Sequence, residues 1–143
     1  MHKQNYLNHR RLVFGFHFLF LGITLIGFTG SCINLYQSYN SETFYSASLI
    51  VLLFVTMFSV GYFSRAFALK AQDRAIKAEE NLRFYILTGE LHDPSLRISQ
   101  IIALRFANDS EFVELSKKAA TENLRSEKIK RMIKNWKPDF YRV

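Results

Sequence analysis

Two stretches without a formal charge constrain this chain most: residues 12–35, 24 positions long, and residues 44–63, 20 positions long. At a rise of about 1.5 Å per residue, either one makes a helix long enough to cross about 30 Å of hydrocarbon. The 80 residues from Ser64 onward carry 16 of the 19 Lys and Arg and 11 of the 12 Asp and Glu, so that part of the chain needs water. A mean hydropathy of -0.01 is therefore an average over two solvents.

The pattern predicts an all-α fold: a transmembrane helical hairpin, a second helix extended into the cytosol, and then a small bundle of about three short helices. The expected order is a basic cytosolic N-terminus (1–11), transmembrane helix 1 (12–36), an extracytoplasmic hairpin loop (37–43), transmembrane helix 2 (44–63), its cytosolic continuation (64–89) and a small helical domain (90–143). Orientation follows from charge. The net +7 divides into +3 before the first span, -1 in the loop and +5 after the second span, and short basic flanks stay on the cytoplasmic side. Both termini are expected to be cytoplasmic. Thr29-Gly30-Ser31-Cys32 is similar to the end of a lipoprotein signal, but the apolar run before Cys32 is about 20 residues against the usual 7 to 15, which favours a retained helix. The single cysteine has no intrachain partner, as suits a reducing compartment.

Within the spans, Gly22, Gly27, Gly30 and Ser31 in the first and Ser59 and Gly61 in the second are small residues that allow close helix approach. Packing between the two helices of one chain is the expected use, in preference to packing between chains. Tyr36, Tyr39 and Tyr45 cluster at the far boundary, where amphipathic rings belong. His17 is the one titratable side chain inside the first span, and a hydrogen bond to a neighbouring helix is its expected role.

Beyond the second span nothing breaks the helix before Thr88-Gly89, which gives a rod of about 68 Å over residues 44–88. Phe67, Ala71, Ala75, Ala78 and Leu82, followed by Tyr85 or Ile86, recur at three- and four-residue steps and form a stripe that faces a partner. Asp73 with Lys77 and Glu79 with Arg83 are expected charge pairs four apart. Asp93-Pro94 opens the next helix, with Ile98 as the other possible start; Asn108-Asp109-Ser110 opens another, with Glu111 in its first turn. Ser126 is expected to cap a last helix that carries Ile129, Met132, Ile133 and Trp136 on one face and Lys128, Lys130, Arg131, Lys134 and Lys137 opposite. Those basic residues suit anionic lipid or another source of phosphate. Three helices this short need support from the long helix, a second copy or the membrane surface.

The block Ser64-Arg65-Ala66-Phe67-Ala68-Leu69-Lys70-Ala71-Gln72-Asp73-Arg74-Ala75-Ile76-Lys77-Ala78-Glu79-Glu80-Asn81-Leu82-Arg83 resembles one in a family of short bacterial two-span membrane proteins catalogued only as a domain of unknown function. Residues 100–107, the ending Ile133-Lys134-Asn135-Trp136 and the start Gln4-Asn5-Tyr6 with Asn8-His9 are similar too. The resemblance implies a bacterial inner-membrane protein of this architecture and brings no activity, cofactor or site residue.

No glycine-rich phosphate loop, serine elbow or histidine pair with metal-ligand spacing occurs, and the paired carboxylates sit among Lys and Arg on helix faces. Asn34, Thr24 and Thr56 are too few to line a pathway. The expectation is a non-enzymatic membrane-anchored interaction or accessory subunit with no cofactor, embedded in a lipid bilayer as a homo-dimer or part of a larger membrane complex. The alternative expectation is a membrane-tethered nucleic-acid-binding protein, with the helices after Ile98 as a loose three-helix unit.

Overall fold

The computed structural model describes residues 4–6, 8 and 13–139. Among them the chain is helical, with α1 (Gly15–Gln37), α2 (Phe44–Thr88), α3 (Ile98–Leu104), α4 (Asp109–Thr121) and α5 (Ser126–Met132), plus one isolated antiparallel bridge between Ala107 and Trp136. Two compact units divide the chain: Leu12–Ala68, and Met1–Arg11 with Leu69–Val143. The expected start of the first helix, residues 9–12, lies outside the described residues.

In the first unit, α1 begins with a π-wound segment, Gly15–Phe20. The His17 imidazole accounts for part of that start: its Nδ1 lies 3.1 Å from the Val13 nitrogen and 3.0 Å from the Val13 oxygen. His17 thus bonds its own helix end, in place of the neighbouring helix expected for it. Thr24 and Thr56 likewise donate to carbonyls one turn back, Phe20 at 2.7 Å and Leu52 at 2.9 Å. The reversal between the helices uses Asn40 at φ 66, a left-handed position that asparagine tolerates, and the Ser41 hydroxyl donates to the Ser38 carbonyl at 2.8 Å. Both α1 and α2 contain a stretch long and apolar enough to span a membrane, and only 11% of each stretch is buried within the chain.

The second unit starts on α2, which stops at Gly89, held at φ 78 after its N–H reaches the Tyr85 carbonyl. Its core gathers Phe84 from α2, Leu96, Ile101 and Leu104 around α3, Phe112, Leu115 and Ala119 on α4, and Leu124, Ile129 and Ile133 around α5. The small helices are thus supported by α2 of the same chain. Residues 94–97 are not helical. The Asp93 carboxylate accepts the Ser95 N–H at 2.8 Å and closes a turn, and the Gln100 side chain takes the Arg97 N–H at 2.7 Å, so α3 uses the later start, Ile98. Ser126 is the first residue of α5, with Arg125 as its extended N-terminal neighbour, so it is not the cap. The last helix also ends early. Ile133 is extended, and Trp136 leaves the helix to pair with Ala107 and pack its ring 5.1 Å from Phe106.

Candidate functional site

The small residues of the hairpin separate into two groups. A Cβ at Gly27 would collide with the Phe54 ring, and one at Gly61 would collide with Phe20, so at these positions the lack of a side chain lets the facing helix come close. Ser31 is buried on the same seam and donates to the Phe28 carbonyl at 2.7 Å, next to the Phe28–Phe58 edge contact. Gly22 and Gly30 have open space where a Cβ would stand, and Ser59 is exposed, because these three turn away from the facing helix.

In the second unit, the face of α2 that receives the small helices carries Glu80, Arg83 and Phe84. Arg83 is the main tie. Its Nη2 donates to the Ala107 carbonyl at 2.7 Å, its Nε to Asp109 at 2.7 Å and its Nη1 to Glu80 at 3.0 Å, while the guanidinium lies 4.1 Å over the Phe112 ring. The expected pairing of Arg83 with Glu79 is replaced, since the buried carboxylate of Glu80 and the α3–α4 corner satisfy more of the donor fork. His92 stacks on Phe84 at 4.3 Å and meets Phe112 edge-on at 5.6 Å. Burial between those rings holds its imidazole below the usual histidine value, opposed in part by the Glu80 backbone. His92 and the buried Ser116 border a cavity of about 210 Å³, below the size at which drug-like ligands are enclosed.

The stripe Phe67, Ala71, Ala75, Ala78 and Leu82 lies exposed, Phe67 at 66% and Leu82 at 59%, and Tyr85 and Ile86 continue it at 52% and 73%. On the same helix Ile76, Glu80 and Phe84 are buried, Phe84 in the core shared with the small helices, while the stripe residues stay uncovered.

The basic set does not form one helix face. Lys128, Lys130 and Arg131 belong to α5, whereas Lys134 and Lys137 follow it on the extended segment. Lys130 sits 6.0 Å over the Phe106 ring, and Arg131 donates to the Tyr6 hydroxyl at 3.3 Å with its guanidinium 5.2 Å over that ring. Glu111 holds the extended segment by accepting the N–H groups of Lys134 at 3.1 Å and Asn135 at 2.9 Å. Gln4 completes the arrangement: its Oε1 accepts the Asp139 N–H at 2.8 Å and its Nε2 donates to the Asp139 carbonyl at 3.5 Å. Residues before the first apolar helix thus bind residues after the second. Sequence reading missed the Gln4, Glu111 and Arg83 contacts, since each joins positions at least 23 apart and leaves no periodic trace.

A model for a family of unknown function, DUF6526, matches residues 1–143. The chain belongs to that family. Membership of DUF6526 agrees with the resemblance read from residues 64–83 and assigns no activity. No curated protein and no solved structure matches the chain.

Proposed function

We propose that this DUF6526 member is a non-enzymatic, membrane-anchored interaction or accessory subunit of the bacterial inner membrane, with both termini in the cytoplasm. Several features support the membrane reading. Only 11% of the apolar window of α1 and of α2 is buried, whereas a core helix of a soluble protein is mostly covered. The Gln4–Asp139 and Tyr6–Arg131 contacts support a two-span hairpin whose outer segments share one side of the membrane. The basic flanks favour the cytoplasm as that side.

The observation that carries the interaction role is the uncovered stripe at residues 71, 75, 78 and 82, on the same helix whose neighbouring face is covered by a packed core. An exposed apolar face on a water-side helix is stabilised by a partner. Chemical cross-linking in native membranes followed by mass spectrometry tests this, with reproducible cross-links from residues 70–86 as the expected result. Recovery of uncross-linked monomer alone, at native expression, contradicts it.

The nucleic-acid alternative has less support. Its recognition helix would be α5, seven residues long, with Ile129 buried and Arg131 engaged with Tyr6.

A further inference from the structure

We infer that the partner on the exposed stripe is a second copy of this chain, lying parallel and in register along residues 71–85. The inference rests on the membrane-anchored reading above, because two copies whose α2 helices leave the same membrane face must run in the same direction. Residues 71, 75, 78, 82 and 85 alternate steps of four, three, four and three, the seven-residue repeat of a coiled-coil seam. Ala75 and Leu82 take one core position, and Ala71, Ala78 and Tyr85 the other. In that frame Arg83 and Phe84, which hold the small helices, and Glu80, which pairs with Arg83, fall on the back of the helix with the buried Ile76, so one copy's own domain leaves the seam open. The alanines at Ala71, Ala75 and Ala78 allow two helix axes to approach closely, and Leu82 and Tyr85 fill the wider end.

Charge supplies the choice of partner. In a parallel pair, residue 74 of one copy flanks residue 79 of the other, five positions on, and the same contact repeats across the two-fold axis. These are Arg74 and Glu79, opposite in sign, exposed, and in no ion pair among the described residues. Glu79 is left for this contact because Arg83 turns to Glu80 and Asp109. A copy shifted by one heptad or turned antiparallel loses both pairs.

The test uses full-length chain in its membrane, with Cys32→Ser to remove the native thiol and single Ala75→Cys, Ala78→Cys or Lys77→Cys replacements. Oxidation is expected to yield a covalent dimer of twice the chain mass from positions 75 and 78, with little from position 77 on the flank. Arg74→Glu or Glu79→Arg alone, in the Ala78→Cys background, is expected to lower the dimer yield several-fold by facing like charges. The double Arg74→Glu/Glu79→Arg variant is expected to restore it, which a foreign partner would not do. Cross-linking of position 78 to a different protein overturns the second-copy inference and leaves the interaction role standing. No cross-linked product at any of the three positions overturns the second-copy inference, and the chemical cross-links from residues 70–86 then decide the interaction role by themselves.

Discussion

The hairpin and the second unit bury opposite kinds of side chain. In the hairpin Thr24, Ser31, Ser38 and Ala47 are covered while Phe18, Ile23, Ile26, Leu52 and Leu53 lie exposed. In the second unit Phe84, Ile101, Phe106, Phe112 and Ile129 are covered, and Lys117, Lys128 and Lys134 lie outside. Water drives large apolar groups inward, so a segment that turns them outward and packs through glycine and hydroxyl suits the membrane hairpin proposed above. The second unit also needs specific polar ties, because a core of about this size gives limited stability by itself.

The largest effect that would sharpen this contrast is expected at Arg83. Arg83→Ala leaves Glu80, whose side chain is 9% exposed, and the Ala107 carbonyl without their donors, and is expected to destabilise the second unit by about 3–5 kcal/mol. Denaturant titration of the detergent-solubilised chain reads this through Trp136, the single tryptophan, which packs on Phe106. A loss under about 1 kcal/mol would mean that Arg83 behaves as a solvated surface charge.

In the hairpin, Gly27→Leu forces a side chain into the Phe54 ring and is expected to cost about 1–3 kcal/mol in helix–helix packing, whereas Gly30→Leu has room. Helix-pair stability in detergent micelles, followed by energy transfer between labels on the two helices, separates them. Equal losses at both glycines would remove the close-packed seam. A smaller effect comes from pH. His92 is held below its ordinary value of 6.5 in the folded unit, so the unfolded chain binds the proton more readily. Stability is fully present above about pH 6.5 and falls as the pH drops from there through the folded value, while His92→Phe is expected to flatten that slope. Denaturation midpoints measured between neutral and mildly acid pH decide it. The smallest expected effect is Ile26→Ala, within about 0.5 kcal/mol in detergent, since Ile26 is 74% exposed and touches solvent or acyl chain in place of core. A loss comparable with that at Gly27 would place Ile26 in an interface between chains.

Much of the helical order was readable from sequence because it rests on periodicity. The uncharged runs, the stop at Thr88-Gly89 and the apolar positions Phe112, Leu115 and Ala119 each repeat with the helix. The end of the chain was less legible. Trp136 keeps helical spacing after Met132, yet the Glu111 carboxylate takes two backbone N–H groups and the Ala107 bridge takes the strand-like segment, and these tertiary contacts outweigh a one-turn extension. The small-residue set was partly legible. Residue size identifies Gly22, Gly27 and Gly30 alike, but only the geometry of Phe54 distinguishes the middle one. For Arg83, local spacing offered Glu79, while the partners it uses lie one residue closer on α2 and 24 to 26 residues away.

The most direct measurement is the location of the C-terminus: a fluorescent protein that matures only in the cytoplasm, and separately a phosphatase active only outside it, fused after Val143 in otherwise intact chain. Fluorescence without phosphatase activity, in a membrane fraction that resists alkaline extraction, is the expected result. Phosphatase activity after Val143, or recovery of the chain in the soluble fraction without detergent, would contradict a two-span hairpin with both ends inside.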